Sequence, residues 1–241
     1  GTAGCIAASI AKSVKEVHND KDVEITWFYD PDKSPVSVGE GTTPIFMSVL
    51  RSLNDYSTDL DDYDARPKLG IEYKNWGKSD YIHPFRAGWY GVQFDATKFQ
   101  SVAFEKLTRD KSIHTQAKNV CAEDLDSDVV IDCTGTPKSF GGYIKPRYIP
   151  VNAVYVTQCN WKGDPKWLHT KTIARPWGWV FVIPLKTRCS VGYLYNRDIS
   201  SLDQVKDDVR EVFEELGVEP TERTNGFHFE NYIREKLVDS N

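Results

Sequence analysis

What the chain has little of narrows it first. Its 30 Lys and Arg are scattered and outnumbered by 35 Asp and Glu, giving a formal charge of -5 over 241 residues. Such a surface lacks the positive field that holds a phosphate backbone, so nucleic acid is not expected as a partner. The five cysteines, Cys5, Cys121, Cys133, Cys159 and Cys189, are odd in number, widely spaced and form no CxxC. That pattern argues against a disulfide framework and against a zinc site, so no metal is expected, and it fits a reducing, cytoplasmic compartment. No apolar run reaches the roughly 18 residues that suggest a membrane span, and the first residues are not a basic segment followed by an apolar one. What remains is ordinary globular material: 40% hydrophobic and 12% aromatic residues, enough to bury a substantial core in one large domain or one and a half.

The chain opens on Gly1-Thr2-Ala3-Gly4, and from Cys5 to Val17 the apolar residues Ile6, Ile10, Val14 and Val17 recur at the spacing of an amphipathic helix. A polar turn over 18–22 follows. Val23 to Tyr29 is rich in β-branched and aromatic residues and reads as a strand, ending at Asp30. Glycines at a helix start, then a strand, then an acid about 25 residues on, match the second half of a dinucleotide-binding βαβ unit. In that unit the pyrophosphate sits on the helix N-terminus and the acid accepts hydrogen bonds from the ribose. Gly1, Thr2, Ala3, Gly4 and Asp30 are therefore cofactor-binding candidates. Gly1 and Gly4 take the places of the second and third glycines of GxGxxG, so the first glycine and its strand are expected to belong to a longer parent sequence.

Asp128 to Ile131 is a short apolar run followed by the turn Asp132-Cys133-Thr134-Gly135. It suits a buried strand whose end approaches a ligand, with Gly135 against the cofactor. Ile113 to Val120 suits a crossover strand, with Val120 as a contact. Phe94 to Leu107 reads as a helix capped by Asp95, and Asp203 to Leu216 as a helix with one apolar face and Gly217 as its stop. Trp161, Trp167 and Trp177 read as core residues, with the lining of the substrate pocket as the alternative.

Five segments, in order, carry a more specific pattern. Val36-Ser37-Val38-Gly39-Glu40-Gly41-Thr42-Thr43-Pro44 is a glycine-rich loop in which backbone amides can approach a ring or an anion closely. Lys68-Leu69-Gly70-Ile71-Glu72-Tyr73-Lys74-Asn75-Trp76 follows, then Tyr81-Ile82-His83-Pro84-Phe85, then the Asp132–Gly135 turn. The fifth is Gly178-Trp179-Val180-Phe181-Val182-Ile183-Pro184-Leu185. By themselves, Arg66-Pro67-Lys68 reads as a surface lysine and the aromatic stripe at period two as strand packing. Together they resemble the flavin-dependent tryptophan halogenase family. Two positions depart from its pattern: Phe181 stands where a second Trp is usual, and Tyr29-Asp30 stands where Glu-Ser is usual.

The resemblance implies an α/β fold, an FAD-binding Rossmann-type domain of the flavin monooxygenase kind with a mixed-sheet substrate region. The whole of 1–241 is expected to form one such domain, with the substrate-side sheet within 143–200. It implies FAD as cofactor, supplied as FADH2 by a separate flavin reductase, with Gly39, Glu40, Gly41 and Thr42 beside the flavin and a halide ion at Thr42 and Thr43. Lys68 becomes the catalytic lysine, which delivers hypohalous acid to an electron-rich aromatic such as tryptophan or an indole. His83, Pro84, Phe85, Trp179, Phe181, Ile183 and Pro184 fall on the substrate side, and the family admits a homo-oligomer. The resemblance ends near Leu237, before the family's closing segment with its catalytic glutamate, so the chain is expected to be truncated at both ends. The alternatives are a flavin monooxygenase that oxygenates its substrate directly and a nucleotide-binding fragment without turnover.

Overall fold

The computed structural model describes residues 1–33, 38–52, 60–135, 142–163 and 167–234. Val36 and Ser37 of the glycine-rich loop, and the end of the chain from 235, lie outside them. In chain order the elements are α1 (Thr2–His18), β1 (Ile25–Tyr29), β2 (Glu40–Gly41), α2 (Phe46–Ser52), β3 (Arg66–Lys68), β4 (Gly70–Lys74), β5 (Tyr81–Pro84), β6 (Gly91–Phe94), α3 (Ala96–Arg109) and β7 (Ile113–Ala117). A 3-10 turn at Ala122–Asp124 leads to β8 (Ala153–Trp161), β9 (His169–Arg175), β10 (Gly178–Pro184), β11 (Arg188–Tyr195), α4 (Leu202–Leu216) and β12 (Val218–His228). They divide into two compact units, 1–67 with 90–136, and 68–89 with 137–241.

In the first unit β1 and β7 pair in parallel, Ile25 opposite Ile113 and Tyr29 opposite Ala117. Parallel pairing brings the C-terminal ends of both strands to the same edge, where ligands bind in open α/β sheets. The core gathers Phe46, Tyr63, Phe94, Phe99, Ala103 and Leu107, with Phe46 stacked on Phe94 at 5.1 Å between ring centres. Helix α3 begins where its cap predicts: the Asp95 carboxylate accepts from the amides of Thr97 and Lys98.

The expected amphipathic helix forms as α1, but of its apolar stripe Ile6 alone packs against the core. Ile10, Val14 and Val17 are 46%, 53% and 78% exposed, while the packed residues are Cys5, Ala8, Ser9 and Lys12. Periodicity identifies an apolar face but not what covers it; this face borders an open apolar groove of about 720 Å³ lined by Ile6, Ile10, Val14, Val23 and Ile131. The inward face is held partly by charge, since Lys12 Nζ bridges Glu16 at 2.7 Å and Asp110 at 3.3 Å. Asp128–Ile131 is not a buried strand. It forms no ladder, and Val129, Val130 and Ile131 are exposed. A run of β-branched residues becomes a strand only where a partner supplies hydrogen bonds, and none of the described residues does so here. The segment from Ile113 to Val120 is a strand only as far as Ala117.

The second unit is built on a mixed seven-stranded sheet, ordered β12-β8-β11-β10-β9-β4-β5. All its pairings are antiparallel except β4 with β9. A tight turn joins β10 to β11, with Leu185 N–H donating to the Arg188 carbonyl at 2.8 Å. Alternation then sends Val180, Val182, Val191 and Tyr193 to one face, where Val205, Val209, Val212 and Phe213 of α4 cover them. The start of α4 carries a capping box between Ser201 and Gln204, and Gly217 closes it in the left-handed conformation.

A buried ionic knot ties α4 to the sheet. Arg175 donates to both Asp208 oxygens and to Glu211, while Tyr193 Oη donates to Asp208 at 2.7 Å. Burial by itself pushes the Asp208 carboxyl up, but the bonds from Arg175 and Tyr193 outweigh it and hold the group below its ordinary 3.8. A depressed native value means that this contribution is full above the ordinary value and is lost as pH falls through the native one. Asp208→Ala should cost about 3–5 kcal/mol, because it leaves Arg175 buried without its partner. Urea unfolding at neutral pH reads that loss, and the variant's deficit should narrow at low pH.

Candidate functional site

At the C-terminal edge of the β1–β7 pair, the first unit collects the expected cofactor positions. Helix α1 starts at Gly1 with no side-chain cap, and Cys5 N–H is the first amide bonded back, to the Gly1 carbonyl at 3.2 Å. The amides of a helix's first turn, at the positive end of its dipole, suit an anion. Thr2 Oγ1 donates to Glu40 at 2.8 Å and accepts from Gln100 Nε2 at 3.0 Å. The hydroxyl thus links the helix start to the glycine-rich loop. A Cβ on Gly4 would stand 3.8 Å from the Cys133 Cβ, so the Asp132–Gly135 turn passes beside the same helix end. Lys33 Nζ reaches the Thr134 carbonyl at 3.0 Å, and the Asp132 carboxylate accepts from the Thr134 amide and hydroxyl.

Asp30 follows β1. Its Oδ1 accepts from the Asp32 amide and its Oδ2 from Asn119 Nδ2 at 3.1 Å, which fixes the carboxylate beside half-buried Val120. Gly39 is buried, Glu40 half-buried and Gly41 exposed. Thr2, Glu40, Asp30, Val120 and the 132–135 turn are thereby connected through one end of the unit. These residues fit a dinucleotide: a helix N-terminus for phosphate, a fixed carboxylate for ribose hydroxyls, and a close glycine turn. Gln100 and Asn119 take part without having been legible in the sequence; one lies mid-helix and the other in a polar stretch, and neither forms a motif.

Lys68, which in its own tripeptide reads as a surface residue, is only 6% exposed. Its ammonium lies 5.7 Å from the centre of the Phe85 ring, and no described carboxylate pairs with it. Burial pushes its pKa down from the ordinary 10.5. Backbone bonds fix the approach: Phe85 N–H donates to the Leu69 carbonyl and Leu69 N–H to the Leu168 carbonyl, both at 2.7 Å. An unpaired, desolvated amine has nucleophile and acid character that a solvated lysine lacks. His83 and Pro84 lie on β5, an edge strand whose four residues are all exposed.

The aromatic signature occupies β10. While Val180 and Val182 face α4, Trp179, Phe181 and Ile183 are half-buried and alternate to the other face; Pro184 is buried. Trp179 packs against Trp76 at 6.1 Å and Phe181 at 6.4 Å between ring centres. The Phe181 ring lies over Gly192, its cross-strand partner, where a Cβ would come within 2.0 Å of it. Trp161 and Trp167 pack edge-on against the core, and Trp161 Nε1 donates to the Leu185 carbonyl, whereas Trp177, expected in the core as well, is exposed in the turn between β9 and β10. Among the described residues there is no group of three or more His, Cys, Asp or Glu side chains suited to a metal, and no helix long and apolar enough to cross a membrane.

The same architecture recurs in solved structures. Xcc4156, a flavin-dependent halogenase from Xanthomonas campestris, superposes with a TM-score of 0.80 at 17% identity, covering 99% of this chain and 62% of that one. A tryptophan 6-halogenase, SttH, from Streptomyces toxytricini matches with a TM-score of 0.76 at 19% identity, covering 100% and 63%. A tryptophan halogenase from Shewanella frigidimarina matches at 0.74 and 20%, covering 99% and 61%. The chain thus spans about three fifths of the length of these structures. No curated protein matches it significantly. The fold is α/β, of the Rossmann type shared with these flavin-dependent halogenase structures. The tryptophan halogenase family model matches residues 1–125 and 117–241, and the chain belongs to that family.

Proposed function

We propose that the protein takes part in flavin-dependent halogenation of an electron-rich aromatic substrate such as tryptophan or another indole. The observation that carries this is Lys68, buried beside Phe85 with no carboxylate among the described residues to neutralise it, at the position that the resemblance gives the family's lysine. Gly1–Gly4 would bind the FAD pyrophosphate, Asp30 the ribose, and Glu40, Val120 and Gly135 would contact the cofactor around them. When bound as FADH2 from a separate reductase, the flavin would supply, with oxygen and a halide, the hypohalous acid. The Gly39–Thr43 loop would hold the halide through backbone or hydroxyl donors. Lys68 would then hold the hypohalous acid by hydrogen bonding, or take its halogen as a haloamine as the oxygen–halogen bond breaks and water leaves, and pass the halogen to the aromatic ring; the ring proton leaves to solvent. His83, Pro84 and Phe85, with Trp179, Phe181, Ile183 and Pro184, are assigned to the substrate side.

Direct oxygenation is the competing chemistry, and Phe181 is the feature that favours considering it. A phenyl ring is a smaller plug than an indole and lacks its N–H donor. Product analysis separates the two. With flavin reductase, FAD, NADH and tryptophan, mass spectrometry should show bromotryptophan only when bromide is present. Hydroxylated tryptophan, formed equally with and without bromide, would overturn the assignment.

A further inference from the structure

We propose that Gly70 is a positioning residue for Lys68: because it has no side chain, the edge strand β5 closes onto β4, sets the Phe85 ring beside the lysine ammonium and keeps the amine from water. This rests on the halogenase reading and deepens it by assigning what holds the lysine in place.

The backbone turns between Lys68 and Gly70. In regular antiparallel pairing a residue exchanges both of its backbone bonds with one neighbour. Leu69 divides them: its N–H donates to the carbonyl of Leu168, just before β9, and its carbonyl accepts from the N–H of Phe85, just after β5, both at 2.7 Å. Gly70 follows, buried between the two strands, opposite His169 on one side and Pro84 on the other. Pro84 has no N–H to offer, so the Phe85 amide takes over the bonding at this end of β5.

A Cβ on Gly70 would stand 2.3 Å from the His83 carbonyl oxygen, 2.8 Å from the Pro84 Cα and 3.1 Å from the His83 carbonyl carbon. All three atoms are backbone of β5, which cannot swing aside as a side-chain tip can, so a larger residue must push β5 off β4. That strand is the one free to move, because it ends the seven-stranded sheet and pairs with β4 alone. Phe85 is the next residue along, and its ring centre lies 5.7 Å from the Lys68 ammonium. A ring face at that range attracts an ammonium and shields it from water. The burial of Lys68 is thereby tied to the place of β5, and the place of β5 to the missing Cβ.

Gly70→Ala tests this, with Gly77→Ala in the turn between β4 and β5 as the control, since its added carbon meets nothing within 4 Å. Acetylation by dilute acetic anhydride, read by peptide mass spectrometry, reports the accessibility of Lys68 without flavin. Exposed Lys78 serves as the reference, and Lys171, which reaches from β9 to Glu72 of β4, gauges whether the rest of the sheet holds. In Gly70→Ala, Lys68 should be acetylated several times faster, with Lys78 and Lys171 unchanged. Bromotryptophan formed per oxygen consumed should fall by roughly tenfold to 10²-fold, the scale on which a displaced group loses its alignment. Both readouts should stay at the unmutated values in Gly77→Ala. Unchanged acetylation of Lys68, or a rise shared by Lys171, overturns the proposal and leaves the halogenase reading standing; so does faster acetylation with an unchanged product ratio. Should Gly70→Ala not fold, hydrogen exchange in the unmutated protein decides. A protected Phe85 amide supports the closed strand, and one exchanging as fast as that of Gly77 overturns it. If the unmutated protein forms no bromide-dependent product, the halogenase reading fails and the positioning role with it.

Discussion

Lys68→Met should raise thermal stability while lowering halogenated product by about 10²-fold or more, the scale on which loss of a positioned acid, base or nucleophile is felt. The two effects have one cause. An ammonium taken from water without a partner carries a desolvation penalty, and Met fills nearly the same space without it. The gain should be on the order of 1–3 kcal/mol, with a Tm rise of roughly 2–4 °C per kcal/mol for a chain of this size.

The pH dependence has a definite sign. Burial lowers the native pKa of Lys68 below 10.5, its ordinary value, so between the two values the unfolded chain binds more protons. Stability therefore rises with pH through that window: the penalty is full below the native pKa and gone above the ordinary one. Lys68→Met should flatten this slope. A variant that unfolds earlier than the unmutated protein, with an unchanged alkaline slope, would show that Lys68 is paired and structural.

Gly178→Ala should be the most damaging single methyl group in the second unit. A Cβ there would stand 1.9 Å from the Leu194 carbonyl oxygen and 3.1 Å from the Tyr195 Cα, and φ is 157°. Both obstructing groups are backbone of β11, so β10 and β11 must separate where Gly178 pairs with Tyr195. Overpacking of this kind costs about 1–3 kcal/mol, and the strained backbone adds to it. A Tm loss of roughly 5–10 °C follows. The displacement also moves Trp179, the next residue, away from Trp76. Gly163→Ala is the control: nothing lies within 4 Å of its added carbon, and its stability should stay close to that of the unmutated protein. Comparable losses in both would show that the loss at Gly178 comes from glycine's flexibility and not from the close strand approach.

These outcomes also mark what the sequence could reveal. Helices α3 and α4 were legible from the Asp95 cap, the apolar face running to Leu216 and the Gly217 stop, while the Ser201–Gln204 box, which starts α4 before the expected Asp203, was not read. Strand β10 was legible from alternation, which places Val180 and Val182 on the buried face. Local pattern was insufficient where the answer lay in a distant segment. The α1 stripe shows the right period, yet the face that packs is the one bearing Cys5, Ala8 and Lys12. Val129 to Ile131 has strand composition without a described partner. The burial of Lys68 depends on Phe85, brought beside it through the Leu69 carbonyl. Thr2 with Gln100 and Asp30 with Asn119 are pairs of remote residues, and such pairings leave no trace in spacing.

The coupling of halogenation to oxygen consumption tests the central claim most directly. In the unmutated protein supplied with reductase, FAD, bromide and tryptophan, bromotryptophan should accumulate in proportion to oxygen consumed. In Lys68→Met oxygen uptake should continue at a similar rate while that proportion falls toward zero, because the oxidant is made but no longer held for the substrate. An unchanged proportion of product to oxygen in Lys68→Met would contradict the account.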